Sequence, residues 1–365
     1  MKVLQVVDGT GWGGTKEQVY LTTRELKKLG VDVHIALNFE YNQMIEKLKP
    51  YDVSIHFFEE NKPNARYRWS NYKRLIEIIK NNDFDIVVAN SPKAMDYVNI
   101  AYLFLKQKPK LVAVRRSGRV PSFISKHLKY SKSDKIVVVS KQVADILKEN
   151  NFFPEKLVVI ESGIDLERFK PYPEEKLKLR ESLNLPKDYK IFINVANWQL
   201  QVKAQDKLIQ AFSMLKCDNC LLLLVGLDTD KYALQYAEKF GVKDKVIGLG
   251  FRSDVPDLLN ASDFFVLSSN LEGIAGALLQ AMATGKVCLS TLAGGIGEYL
   301  VDGYNGFAVD IGDVEAMAKK MEIMLNLSTK EYETISKRAV ETARNYSIEN
   351  TAQKYIKLFK ELTNG

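Results

Sequence analysis

Short apolar runs alternate with amphipathic stretches along the whole chain. Residues 3–7 form an apolar run that reads as a buried strand. Past a glycine-rich loop, Val19, Thr22, Thr23, Leu26 and Leu29 recur at helical spacing, and Gly30 ends the run. The same reading predicts strands at 33–37, 53–58, 85–90, 111–114 and 135–139, with helices at 72–81 and 95–105. A second series follows, with strands at 190–195, 221–225, 246–251, 263–267 and 287–291. Its helices run through Leu208 to Leu215 and over 277–284, 316–325, 331–345 and 348–362. Strands alternating with helices predict an α/β protein of doubly wound parallel sheets, whose ligands bind at the carboxyl ends of the strands. The 365 residues exceed one ordinary core and suggest two domains, on a loose prior of about 150 residues each. Residues 171–186, charged and poor in large apolar side chains, read as the linker and lead-in to the second.

Composition changes this picture little; charge changes it more. The apolar runs at 97–105 and 221–227 fall far short of the roughly 20 residues that span a bilayer. The N-terminus enters a strand directly, without a signal-peptide core or cleavage site, so a cytoplasmic location is expected. Residues 1–167 carry 27 Lys and Arg against 20 Asp and Glu, whereas the remainder carries 25 of each. Between Lys106 and Lys141 there are eleven basic residues and one acid, Asp134. Such a patch suits a phospholipid surface, a phosphorylated glycan or lipid, or nucleic acid; a solvated basic face is the plain alternative. Cys217 and Cys220 have metal-like spacing but no second Cys or His pair, so a turn with two buried thiols is expected, and no metal site. An odd cysteine count argues against a disulfide framework.

The densest chemistry lies at 268–282. A strand is followed by Ser-Ser-Asn-Leu-Glu-Gly-Ile-Ala-Gly and then by a helix that ends at Gly285. This order aims unpaired amides and a helix dipole at whatever sits in front, most often phosphate. Glu272 lies on the loop, and Gln280 is eight residues on, about two helical turns away.

The stretch resembles the signature of glycosyltransferase family 4: an acid-Gly pair, a second Glu eight residues after the first, then Ala-Met-Ala-x-Gly. The resemblance implies the GT-B architecture, two Rossmann-like domains facing a cleft, with the last helix crossing back onto the first domain. It places the boundaries at 1–167 with 348–365, and at 168–347. It implies that Glu272 contacts the donor sugar and that Gln280 stands where a ribose-binding Glu is usual. Lys203 matches the lysine that neutralises the donor diphosphate, while Trp198 stands where the family has an arginine. Gly273, Ile274, Ala275 and Gly276 would meet the leaving phosphates, and Arg252 lies in the loop that meets the base. Gly13 and Gly14 resemble the double glycine of the family's first loop, which lets backbone approach donor and acceptor.

Arg115, Arg116 and Arg119 follow a buried strand. Two adjacent arginines there cannot both turn inward without partners, so with Asn90 at a neighbouring strand end they are expected to hold an anionic acceptor. A structural salt bridge is the alternative. Residues 64–73 interleave basic and aromatic side chains. Residues 120–130 read as an amphipathic helix, with Phe123, Ile124 and Leu128 beside Lys126 and Lys129. Both fit an interfacial segment on an anionic membrane, and both also fit single-stranded nucleic acid or an ordinary surface helix.

The resemblance therefore implies a retaining, metal-independent transferase with no cofactor beyond its nucleotide-sugar donor. The expected acceptor is an anionic or lipid-linked glycan of the cell envelope, such as lipopolysaccharide. The enzyme is expected at the inner face of the membrane as a peripheral protein, without a nucleic-acid partner. Gln280 and Trp198 both depart from the family pattern. They open a second reading, a weak or inactive sugar-nucleotide-binding partner of another transferase. A GT-B sugar-nucleotide epimerase is a third, which the spacing around Glu272 fits less well.

Overall fold

The computed structural model describes residues 1–364. The chain separates into two compact units: Met1–Gly163 together with the chain from Ile348, and Ile164–Ser347.

The first unit is built on seven parallel strands: β1 (Lys2–Val6), β2 (Asp32–Asn38), β3 (Ser54–Glu59), β4 (Ile86–Ala89), β5 (Lys110–Arg115), β6 (Lys135–Val138) and β7 (Leu157–Val159). Their order is β3-β2-β1-β4-β5-β6-β7, so the sheet reverses its direction of growth between β1 and β4. Alternate residues of each strand enter opposite faces. Leu4, Val6, Val87 and Ala89 face one apolar cluster, with the helices Trp69–Lys80 and Pro92–Leu103. Val3, Val33, Ile86 and Val88 face another, closed by Ala352, Tyr355, Leu358 and Phe359 of the terminal helix Ile348–Asn364. Those four recur at helical spacing, and burying Leu358 or Phe359 is worth about 2 kcal/mol each. The strands read as continuous apolar runs because both faces are covered.

The second unit carries six parallel strands: β8 (Lys190–Val195), β9 (Cys220–Val225), β10 (Val246–Gly248), β11 (Phe264–Leu267), β12 (Val287–Thr291) and β13 (Phe307–Val309). Their order is β10-β9-β8-β11-β12-β13, with the reversal between β8 and β11.

Two expectations are corrected here. Residues 171–186, expected as linker and lead-in, lie wholly within the second unit and contain the helix Lys176–Ser182, so the lead-in holds and the linker does not. Its Arg180 is buried and donates to the Ala261 carbonyl at 2.9 Å and to the Asp263 carboxylate at 2.7 Å. One buried, paired arginine anchors a segment whose charge suggested solvent. Cys217 and Cys220 are joined in a disulfide across the turn into β9, rather than standing as two thiols. Cys288 is the buried free cysteine, and burial pushes its thiol well above the usual range.

Candidate active site

In the second unit the chemistry gathers where the sheet reverses, at the carboxyl ends of β8 and β11. Adjacent loops there diverge to opposite faces of the sheet and leave room for a ligand. The loop after β8 ends in the short helix Leu200–Lys203. The loop after β11 carries Glu272. The two meet: the Lys203 ammonium donates to Glu272 Oε1 at 2.5 Å, and the Ser269 hydroxyl donates to the same oxygen at 2.6 Å. Lys203 is 23% exposed and Glu272 10%, so the pair sits at a mouth rather than inside the core.

Behind it the loop is firmly tied. The Asn270 amide donates to the Val202 carbonyl at 2.8 Å, and the Ser268 hydroxyl bonds the Lys203 carbonyl at 2.8 Å. The loop after β12 holds it from the other side. There the Thr291 hydroxyl donates to Ser269 O (2.6 Å), the Gly295 amide to Gly273 O (2.8 Å) and the Tyr299 hydroxyl to Ile274 O (2.8 Å). Burial, with the Glu272 carboxylate nearby, pushes the Tyr299 phenol well up, so it stays a donor. Gly294 has φ +61°, and a Cβ there would lie 2.1 Å from the Glu272 carbonyl oxygen. Only glycine permits that approach.

The helix Gly276–Ala283 begins at Ala275 in the left-handed region, φ 52°, with no side-chain cap. The Leu278 amide closes on the Ala275 carbonyl at 3.0 Å, which leaves the Gly276 and Ala277 amides for a ligand, and the space above Gly276 is open. Gln280 lies one turn further, partly exposed, and its amide side chain has no hydrogen bond among the described residues. Arg252 is folded back onto Asp254, with Nε on Oδ1 at 2.8 Å and the second contact at 2.5 Å. It reaches a base only by leaving that carboxylate. Trp198 turns into packing with Tyr232 and Tyr236, at ring centroids of 6.0 and 5.4 Å. The arginine of the family pattern is thus replaced by a partly buried aromatic packed at the edge of the core, and Lys203 is the cation that meets Glu272.

In the first unit the equivalent reversal lies between β1 and β4. The loop after β1 carries Gly13 and Gly14, with open space where a Cβ would stand on either. It is bound to the loop after β4 by the Ser91 hydroxyl, which donates to Asp8. Sequence reasoning missed the ionic cluster beneath it. Glu59, from the end of β3, is 1% exposed and accepts from the Gly9 amide (2.5 Å), Lys93 (2.7 Å) and the Tyr97 hydroxyl (3.0 Å). Burial alone would push its carboxyl up, but Lys93 and the Gly9 amide outweigh that and hold it below the usual range. Lys16 donates to the Asp8 carbonyl, and burial pulls its ammonium down against the field of Asp8 and Glu59. No local motif marks Glu59, which reaches the site from β3, at the edge of the sheet.

The acceptor-side residues are placed differently from expectation. Asn90 is buried and donates to Gln5 at 2.7 Å. Arg115 does turn inward: its guanidinium lies 5.1 and 5.0 Å from the Tyr130 and Phe152 ring centroids, donates to the Tyr130 hydroxyl at 2.9 Å and reaches the Arg119 carbonyl. Arg116 bonds Ser162 at 3.2 Å beside Tyr355, and burial lowers its pKa. Aromatic faces, hydroxyls and a carbonyl thus meet part of what two inward arginines require, while the Nε atoms of Arg115 and Arg116 are buried with no hydrogen-bond partner among the described residues. Arg119 is the exposed member, with its side chain outward.

A lysine and uncapped amides facing open space, with a carboxylate beside them, suit an anionic leaving group attached to a hydroxyl-bearing unit. The comparisons agree. Residues 175–342 match the model "Glycosyl transferases group 1", and residues 12–168 match "Glycosyltransferase Family 4". The chain belongs to glycosyltransferase family 4. This family 4 transferase is 35% identical over 164 residues to a glycosyltransferase named EpsD from Bacillus subtilis, an alignment covering 44% of this chain and 43% of that protein. It is 24% identical to the N-acetyl-alpha-D-glucosaminyl L-malate synthase of Bacillus anthracis, over 86% of this chain and 83% of that one. It is 25% identical to the N,N'-diacetylbacillosaminyl-diphospho-undecaprenol alpha-1,3-N-acetylgalactosaminyltransferase of Campylobacter jejuni, over 88% of each. The transferase also shares its fold with Anabaena HepE, solved with UDP-glucose, at a TM-score of 0.86, 21% identity, and coverage of 99% and 100%.

Proposed function

We propose that this transferase moves a hexosyl unit from a nucleotide-diphosphate donor to an anionic or lipid-linked glycan acceptor in cell-envelope polysaccharide assembly, such as that of lipopolysaccharide. We take transfer to proceed with retention and without a metal ion. The observation that carries this reading is the 2.5 Å pair of Lys203 and Glu272 at the β8–β11 reversal, in front of an uncapped helix.

Lys203 and Glu272 pair with each other. An arriving diphosphate competes for the ammonium and releases the carboxylate to orient sugar hydroxyls. As the C1–O bond to the diphosphate breaks, negative charge grows on the leaving oxygen. Lys203 and the amides of Gly273 to Gly276 stabilise that charge without reorganising. The acceptor oxygen bonds to C1 on the face the diphosphate leaves, and the acceptor proton passes to the departing diphosphate. Gln280 bonds ribose with a neutral amide, which weakens donor affinity by about 1 kcal/mol relative to a carboxylate.

An anionic acceptor is supported by the relatives, whose names specify malate and a diphospho-linked polyprenol. Arg119 and Lys16 are the first unit's candidates to receive it. A peripheral membrane position is supported by the helix Phe123–Tyr130, where Phe123, Ile124 and Leu128 are 75%, 69% and 69% exposed and basic residues flank them. No described helix is long and apolar enough to cross a bilayer.

The test is a thermal-shift screen against UDP-, GDP-, ADP- and CMP-sugars, followed by transfer to diphospho-polyprenol glycans. At a hundredfold excess over Kd, a true donor adds about 2.7 kcal/mol of stability. If none shifts the melting temperature, the reading fails. A shift without turnover on any acceptor favours the non-catalytic partner instead.

A further inference from the structure

The opposite edge of the second sheet, where β8, β11 and β12 begin, holds a cavity of about 470 Å³, within the range of small-molecule sites. It lies at the far end of the sheet from Glu272. Its lining includes the apolar side chains of Phe264, Met324 and Leu327. It also includes three lysines, Lys176, Lys190 and Lys286.

The charges there do not close on themselves. Lys286 is only 8% exposed, yet its ammonium has a single hydrogen bond among the described residues, to the Ser262 carbonyl at 3.3 Å. An ammonium has three donors to satisfy. The nearest buried acid, Asp263, is already committed. One oxygen takes Lys176 at 2.5 Å, and the other takes Arg180 at 2.7 Å and the Ile191 amide at 2.7 Å. Lys190 stands exposed at the rim with no ion pair among the described residues, and the acid on the lining besides Asp263 is the exposed Glu333. A buried, under-bonded cation in a cavity also lined by apolar side chains describes a site short of one anion.

We propose that this cavity is a second ligand site, taking a small organic anion, a carboxylate or phosphate monoester that carries an apolar group, with its charge received by Lys286 and Lys190 and its apolar part by Phe264, Met324 and Leu327. The site is separate from the sugar-transfer chemistry and does not depend on it.

Phenyl phosphate is the probe, measured by isothermal titration calorimetry on the full chain. Inorganic phosphate and phenol serve as the anion-only and apolar-only arms. Phenyl phosphate should bind at one site at least tenfold more tightly than either arm, and excess UDP should not displace it. Lys286→Met should weaken it at least tenfold, and Lys190→Glu, a fold-safe change at the rim, several-fold. Binding should also weaken above pH 8, because burial between two other cations brings the Lys286 ammonium down to about 8. Absence of saturable binding, displacement by UDP, or equal affinity in the parent and Lys190→Glu would overturn the assignment.

Discussion

Replacing Lys203 with Met removes a charge but keeps most of the side chain's volume. The pair it breaks is short, at 2.5 Å, and mostly screened from water, with Glu272 10% exposed. A fully buried pair broken this way would cost 3–5 kcal/mol, but the Ser269 hydroxyl still supports Glu272 and the lysine reaches solvent, so about 1–2 kcal/mol is expected. That lowers the melting temperature by roughly 2–8 °C for a unit of this size. The effect on transfer should be larger. Loss of one donor aimed at developing charge costs about 2.7–4 kcal/mol, or about a hundred- to a thousandfold, mainly in kcat. The double variant Lys203→Met, Glu272→Gln separates the two effects. Its stability should return to within about 0.5 kcal/mol of the parent, because neither charge is stranded, while transfer stays as low as in the single variant. The assay is donor turnover with the sugar nucleotide that stabilises the parent most, alongside thermal denaturation of all three proteins. Parent-level transfer by Lys203→Met would refute the site, as would recovery of transfer together with stability in the double variant.

Gly294→Ala should cost about 2–4 kcal/mol, since the new methyl meets the Glu272 carbonyl and the backbone is left-handed; an unchanged denaturation midpoint would count against the geometry. His34 and His56 stack at 5.1 Å and share a 2.8 Å hydrogen bond, and burial lowers both pKa values below 6.5 against the pull of Asp32 on His34. Their neutral forms are the folded ones, so this stability is complete above the unfolded pKa near 6.5 and is lost as pH falls through it toward the folded values. The melting temperature should drop between about pH 7 and pH 5, and His56→Phe should flatten that slope; an identical slope in the variant would dismiss the pair. Denatured protein should expose one thiol to a thiol reagent before reduction and three after it, and reduction should cost about 2 kcal/mol for so short a loop. Three thiols before reduction would remove the disulfide.

The long strands and the amphipathic helices were legible because both faces of each sheet are covered, which writes every central strand as an apolar run. The three-residue strands β7 and β13 were not, since three residues carry no period, and the equally short β10 was read only as part of a longer run at 246–251. Lys203 and Glu272 could be read because each sits in a local motif with fixed spacing. The Glu59 cluster could not, because its members come from a strand end, the loop after β1 and the helix Pro92–Leu103, far apart in sequence. Arg115 misled for a different reason: sequence shows the charge but hides the Tyr130 and Phe152 faces that accept it.

The stitching of the Glu272 loop to the loop after β12 bears on how sugar preference can be redesigned. Its knots are backbone carbonyls and one glycine, whereas Leu271 and Leu292, 48% and 39% exposed, project from the two loops without joining the seam. A library aimed at new donors should therefore diversify those two leucines. Survivors carrying changes at Gly294 or Tyr299 should be scarce, since altering either loosens the mooring before it reshapes the pocket.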